Sequence, residues 1–250
     1  MGDEQREMRD DQNFTPAHPG EIPENGILIV GAGHFGLRAA EIMTRQSSAP
    51  IFVVDRDQGA LSRLKSLPVE KVPCDGIRFL VEEVPELNPE CIIVPAVPVH
   101  LAYGWLVSFH EGTHDIRRIS VPEAVKDQCP FWWDGSEGSL LASYADFMCP
   151  DDCPEPLYCT VTGEKRDPAL YALLRGLSSP DFKVHVIRSR QLAPGLGGYR
   201  VKDLTRAAQT ITRSLHKKWL LGTACRCHGV LTAFEIGAKS KNQVHDARFL

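Results

Sequence analysis

The sequence predicts an α/β protein built on a doubly wound parallel sheet. Short apolar, β-branched runs such as Ile27-Leu28-Ile29-Val30 alternate with stretches of helical period, and a glycine-rich turn joins the first run to the first stretch. A wholly apolar run of strand length suits a strand covered on both faces. Alternation of such strands with helices is the pattern of a parallel sheet with helices on each side.

The elements follow in order. After the first strand comes a helix over 34–45, with Leu37, Ala40, Ile42 and Met43 as its apolar stripe. A strand over 51–54, a helix over 58–67, a short strand over 69–72 and a buried strand over 91–94 come next. A helix from about residue 99 leads to a strand over 116–121. Residues 126–165 read as irregular: they hold Pro130, Pro150, Pro154 and Pro156 and four of the cysteines, which suggests a functional or metal-pinned insertion. A helix over 168–177, a strand over 182–187 and a helix over 201–215 restore regularity. The last apolar segment, 219–236, is split by Cys225-Arg226-Cys227-His228-Gly229, as in a hairpin or in a strand running into a helix.

Charge divides the chain unevenly. Residues 1–25 hold Asp3, Glu4, Glu7, Asp10, Asp11, Glu21 and Glu24 against Arg6 and Arg9, a net of -5, so the remaining residues sum to +1 within the total of -4. Such an acidic, apolar-poor tail is expected to be disordered. The domains expected are therefore a tail over 1–25, a nucleotide-binding domain over 26–125 and a Cys-rich α/β region over 126–250. No basic stripe of the kind that displaces counterions from phosphate is present, which argues against a nucleic-acid partner. The start has no apolar core of a signal peptide, so the expected compartment is cytoplasmic. Residues 91–109 lack Asp, Glu, Lys and Arg, but Pro95 and Pro98 interrupt them, so a buried strand and helix are expected rather than a membrane span.

The sharpest motif is Gly31-Ala32-Gly33-His34-Phe35-Gly36, lying between the first strand and the first helix. In that context Gly31 permits a tight turn, Gly33 leaves room for a pyrophosphate and Gly36 lets helix and strand approach. The helix start, at His34 and Phe35, would offer free N–H groups to the phosphates. Asp55 ends the second strand, 24 positions after Gly31, where a carboxylate accepts both ribose hydroxyls and repels a 2′-phosphate. NAD is thus favoured over NADP, although Arg56 beside it is suited to a phosphate. The fold class expected is accordingly Rossmann-like, with a Cys/Pro-rich C-terminal extension.

The stretch ILIVGAGHFGLRAAEIMTRQSSAPIFVVDRDQGALSRL resembles the N-terminal NAD-binding domain of the TrkA/RCK family over about residues 27–97. VVDRD matches the family's acid-x-acid ending of the second strand, and Asp75 of Cys74-Asp75-Gly76 aligns with the Asp of its Gly-Asp-Ala step. The resemblance implies a regulatory domain that binds NAD(H) or adenine nucleotides and partners a potassium transporter or channel. Nothing after about residue 125 resembles that family's C-terminal domain.

Five of the eight cysteines fall in two groups: Cys149, Cys153 and Cys159 at C-x3-C-x5-C spacing, and Cys225 and Cys227 followed by His228. Thiolates with a histidine suit zinc or an iron–sulfur cluster, a redox disulfide or free thiols being the alternatives. His110-Glu111-Gly112-Thr113-His114 satisfies the HExxH pattern, but Gly112 weakens the helix that pattern needs, so a surface role is expected. His100, after the fourth strand, is a candidate acid/base group beside a nicotinamide. The glycine-rich loop 194–200, with Arg200 and Lys202, is a candidate anion cradle.

These readings lead to an NAD(H)-binding nucleotide- or redox-sensing regulatory module, TrkA-like in cation transport in one version, with a dinucleotide ligand and a membrane transporter or redox protein as partner. A homo-oligomer is open. The rivals are an NAD-dependent oxidoreductase with a Cys-ligated zinc or iron–sulfur site, and an interaction protein with a vestigial nucleotide site.

Overall fold

The computed structural model describes residues 26–239; the expected acidic tail lies outside them. The architecture is mixed α/β, with two sheets that each combine parallel and antiparallel strands. The first sheet has the order β3-β2-β1-β4-β10-β9, formed by β1 (Ile27–Val30), β2 (Ile51–Val54), β3 (Glu70–Val72), β4 (Ile92–Pro95), β9 (Arg190–Ala193) and β10 (Leu196–Arg200). Its first four members in chain order are parallel, with Ile27 opposite both Ile51 and Ile92. β10 runs antiparallel to β4, and β9 antiparallel to β10.

The apolar runs are two-faced, as a strand period of two requires. Ile27, Ile29 and Val53 pack with Ala39, Ala40 and Met43 of α1 (His34–Gln46) and with Leu61 of α2 (Gln58–Ser62). Leu28, Val30 and Val54 face the other way, toward Leu80 of α3 (Gly76–Glu83) and Leu101, Trp105 and Leu106 of α4 (Leu101–His110). Helices therefore cover both faces. Cys91 to Phe109 supplies the end of a loop, β4 and α4, and no helix among the described residues is long and apolar enough to cross a membrane.

The second sheet was not foreseen. Its order is β6-β7-β12-β11-β8, with β6 (Phe131–Asp134), β7 (Leu140–Ser143), β8 (Phe182–Arg188), β11 (Lys217–Ala224) and β12 (His228–Ala238), and β5 (His114–Ile119) also pairs with β12. β12 is long enough to pair with β7 through its first part and β5 through its second, while β11 pairs along Gly229 to Ile236 on its other side. One extended doubly wound parallel sheet is thus corrected to two mixed sheets. Elements from either side of residue 125 enter both: β5 joins the second sheet, and β9 and β10 complete the first.

A shared core binds the sheets together. Leu204, Ala207 and Ile211 of α7 (Val201–Thr212), Trp219 and Leu221 of β11, and Phe234 of β12 lie in the same buried cluster as Leu28 and Ile93. The far face of the second sheet packs on α6 (Leu170–Arg175) through Leu170 and Leu174, and on Val125 of α5 (Glu123–Lys126). The hairpin reading of residues 219–236 is the one realised, with Cys225-Arg226-Cys227 as its turn. Part of the expected irregular stretch folds as the β6–β7 hairpin. The residues carrying Cys149, Cys153 and Cys159 remain loop.

Candidate functional site

The glycine loop is built as its residue types require. Gly31 has φ +107°, and a Cβ there would stand 2.4 Å from the Ala96 carbonyl oxygen. A Cβ on Gly36 would come within 1.8 Å of the Gly31 carbonyl oxygen. Both are demanded by the fold itself. Gly33 differs: a Cβ there meets nothing within 4 Å, so open space lies above it. Gly33 is also the N-cap of α1, and no side chain caps the free N–H groups of that first turn.

Asp55 closes the loop from the side. Its Oδ2 accepts from the Ala32 N–H at 2.7 Å and its Oδ1 from the Asp57 N–H at 2.8 Å. Arg63 donates to the Ala32 carbonyl at 2.8 Å. Asp75 caps α3, its Oδ1 accepting from the Ile77 and Arg78 N–H groups, both at 3.0 Å. Arg56 is exposed. Phe35 is 56% exposed, unusual for a large apolar side chain, and stands edge-on to His34.

His100 lies elsewhere than a nicotinamide-facing group would. It is buried, with Nδ1 2.9 Å from Thr232 Oγ1 on β12 and Nε2 3.1 Å from Thr223 Oγ1 on β11. Burial, helped by Arg118, pushes its pKa down to about 3, so it is neutral at pH 7 with both ring nitrogens engaged. His110 and His114 are also split, between the last residue of α4 and the first of β5, with edge-on rings 5.0 Å apart. They do not share the single helix that HExxH chemistry needs. Arg200 and Lys202 both pair with Glu90, at 3.2 and 2.5 Å, and a Cβ on Gly195 would stand 1.6 Å from the Asp151 carbonyl oxygen. The second glycine-rich loop therefore seats the Cys-bearing loop rather than an anion.

That seating brings the two cysteine groups together. Gly195 N–H donates to the Cys153 carbonyl at 2.8 Å, and Gln191 Nε2 to the same oxygen at 2.9 Å. Cys149 Sγ then lies 3.5 Å from His228 Nε2. The ligand atoms of Glu155, Cys225 and His228 all lie within 4.8 Å of one another. The β11–β12 turn is tight, with Cys225 N–H donating to the His228 carbonyl at 2.8 Å and His228 N–H to Cys225 Sγ at 3.3 Å. Backbone N–H groups directed at a cysteine sulfur stabilise the thiolate that a metal requires.

The electrostatics of the cluster are those of acids crowded together. Burial pushes the Cys149 thiol up, and Cys153 and Cys159 push it further. Burial raises Cys227 to about 12, with Glu155 and then Cys153 and Cys149 adding to the effect. Cys225 is raised by burial and by Glu155. Cys159 goes the other way, to about 6, because the Thr162 N–H, then the Arg166 guanidinium and the Val161 N–H, hold its thiolate. Thiolates so arranged cannot all ionise without a cation among them. All eight cysteines are free of disulfides.

Glu155, Cys225 and His228 offer one oxygen, one sulfur and one nitrogen close enough together to meet at a single ion; Cys149 lies beside His228 but outside that mutually close group. Glu155 was missed in the sequence because an acid in a Pro-rich loop has no ligand spacing of its own. Arg166, buried between Tyr144 and the Cys159 loop, gave no signal either. The loop that carries Cys149 and Cys153 touches the start of α1, where His34 Nε2 is 3.1 Å from Asp151 Oδ2, and Arg38 of α1 donates to the Pro194 carbonyl at 3.2 Å.

The family described as "Uncharacterized protein, C-terminal domain" (AF_1314_C) matches residues 102–237, more than half of the chain. The chain belongs to that family. Its matched span contains the second sheet up to the penultimate residue of β12, β9, β10 and every cysteine of the cluster, and excludes the glycine loop. A protein of Archaeoglobus fulgidus named "Uncharacterized protein" is 30% identical over 223 residues, which cover 83% of this chain and 98% of its own.

Proposed function

We propose that the chain binds NAD(H) at the β1–α1 loop and acts as a redox- or nucleotide-sensing module through a metal-binding thiol centre held against that loop. The observation that carries this reading is the contact of His34 with Asp151, which joins the glycine loop to the loop bearing Cys149 and Cys153. Support for the nucleotide half comes from the parallel order β3-β2-β1-β4, the open space over Gly33 and the carboxylate of Asp55 beside the loop. These are the features of a Rossmann-like site. The TrkA/RCK resemblance of residues 27–97 extends the reading to control of cation transport.

Support for the metal half comes from the mutually close ligand atoms of Glu155, Cys225 and His228, with Cys149 beside His228 and with Cys153, Cys159 and Cys227 near enough to be felt electrostatically. The mixed sulfur, nitrogen and oxygen donors suit zinc. A bound zinc would keep the thiols ionised and fix the loop they share. The oxidoreductase alternative is weakened, because His100, its candidate proton-transfer group, is buried between Thr223 and Thr232.

Calorimetry with NADH on the full chain, together with elemental analysis of anaerobically purified protein, tests the proposal. Saturable NADH binding and close to one equivalent of zinc are expected. No NADH binding at millimolar concentration, or less than a tenth of an equivalent of zinc or iron, overturns the corresponding half.

A further inference from the structure

The β6–β7 hairpin carries an apolar surface left open among the described residues. Phe131, Trp132, Trp133 and Leu141 are 41%, 37%, 44% and 44% exposed. Trp133 lies opposite Leu141 in the register, and Phe131 stacks with Trp133 at a ring separation of 6.4 Å, so these three side chains share one face. Trp132 takes the other face, where Lys126 Nζ stands 4.6 Å from the centre of its ring. Large apolar neighbours exposed together in this way mark an interaction surface.

β6 is also the last strand of its sheet, and its outer edge is unpaired among the described residues. Asp134 pairs with Leu140, and the next residue, Gly135, donates its N–H to the Ser139 carbonyl at 2.8 Å. By the alternation of an antiparallel ladder, Phe131 and Trp133 direct their N–H and C=O groups to β7, while Trp132 and Asp134 direct theirs outward. Such an edge is a template for another strand. A two-fold axis at Trp133 satisfies it with a second β6 running antiparallel. Trp133 then faces Trp133 of the second copy, Phe131 faces Gly135, which has no side chain to clash, and Trp132 exchanges backbone bonds with Asp134. The charges agree with that register: the Lys126 ammonium over Trp132 is brought to the Asp134 carboxylate of the second copy.

We infer that β6 is the seat of a two-fold dimer of this chain, formed by antiparallel pairing of the two edge strands about Trp133. A second copy is the occupant that fits, because edge, rings and charges are each complementary to themselves under the same axis. The four side chains leave about 300 Å² open on each copy. That is less than half of the ~800 Å² per partner of a standard stable interface. The dimer is therefore a weak one, forming in the micromolar range. The surface contains no residue of the glycine loop or the thiol centre, so the dimer does not depend on NADH or a metal being bound.

Sedimentation equilibrium of the full chain from about 1 to about 100 µM tests the dimer. Monomer giving way to dimer across that range is expected. Trp133→Lys sets two ammonium groups opposite each other at the axis and should weaken association by about tenfold or more, with an unchanged circular dichroism spectrum. Residue-resolved hydrogen exchange of the unaltered protein provides a readout independent of variant folding. The Trp132 and Asp134 amides should slow as concentration rises, whereas those of Phe131 and Trp133, already directed to β7, should not. A monomer at the highest concentration overturns the inference, and so does a dimer that Trp133→Lys leaves intact. Slow Trp132 exchange in a monomer would give the edge to another segment of the same chain. Binding of the monomer to neutral phospholipid vesicles would give the rings to a lipid surface. Either result overturns the second copy as occupant.

Discussion

Cys149 Sγ and His228 Nε2 stand 3.5 Å apart, although 79 positions separate the two residues in sequence. The loop that carries Cys149 is pinned by Gly195, and His228 by the β11–β12 turn, so the fold places both donors before any ion arrives. Cys225→Ser and His228→Ala should each reduce bound zinc to a small fraction of an equivalent. Loss of the ion by variation or chelation should lower the melting temperature by on the order of 10 °C, as ~3 kcal/mol does at this size. Scanning calorimetry with matched elemental analysis checks both. Full metal content in His228→Ala would remove that residue from the ligand set.

The three glycines of the loop should separate fold from function. Gly31→Ala and Gly36→Ala drive a Cβ into a carbonyl oxygen, and each should cost several kcal/mol by denaturant unfolding. Gly33→Val places its side chain in open space, so stability should change by less than about 1 kcal/mol while NADH binding is lost. Asp55→Asn keeps an acceptor for the Ala32 N–H and should retain the loop. Because Asn turns an NH2 toward the Asp57 N–H, denaturant unfolding of the same variant separates a loosened loop from a lost ribose contact.

How far the sequence could be read follows from the range of each interaction. The glycine loop, β1, α1 and Asp55 were legible because they are close in sequence and their roles are set by local backbone and spacing. The candidate Cys and His residues were legible by type, but the approach of Cys149 to His228 depends on the seat that Gly195 makes for Asp151, a contact between residues with no shared pattern. The second sheet was hidden for a similar reason. An apolar run such as that of β11 does not say which neighbours it will pair with, and β5 reads equally well as a strand of either sheet. His100 looked like a site residue from its place after β4. Its partners Thr223 and Thr232 lie more than 120 positions away.

His100 also makes an acid-stability prediction. Its folded pKa of about 3 lies below the ordinary 6.5, so above pH 6.5 it is neutral in both states and imposes no penalty. As pH falls below 6.5 the unfolded chain takes up the proton and the native protein does not, and the loss is complete only near pH 3. Between pH 7 and about pH 4.5 this one group should remove roughly 2–3 kcal/mol of stability. Urea unfolding at the two pH values checks it: His100→Gln should lower stability at pH 7 yet show a shallower decline. Equal declines in both proteins would mean that His100 protonates within the fold.

The contact of His34 with Asp151 predicts coupling between the two halves of the proposed site. Both side chains are largely exposed, at 71% and 55%, so the contact contributes little to stability, well under about 1 kcal/mol. Its consequence is positional, because Asp151 lies between Cys149 and Cys153 while His34 opens α1 beside the space over Gly33. If NADH and the metal each favour one arrangement of this junction, binding of one must change the affinity for the other by an equal factor. Removal of the metal should therefore shift NADH affinity by about fivefold or more, the range of a typical coupling free energy. Asp151→Asn, which keeps the loop in place and removes the charge, should reduce that factor while leaving zinc content unchanged. Paired NADH titrations of metal-loaded and metal-free protein, before and after the substitution, measure it. Identical affinities in all four titrations would show that the nucleotide loop and the thiol centre act independently.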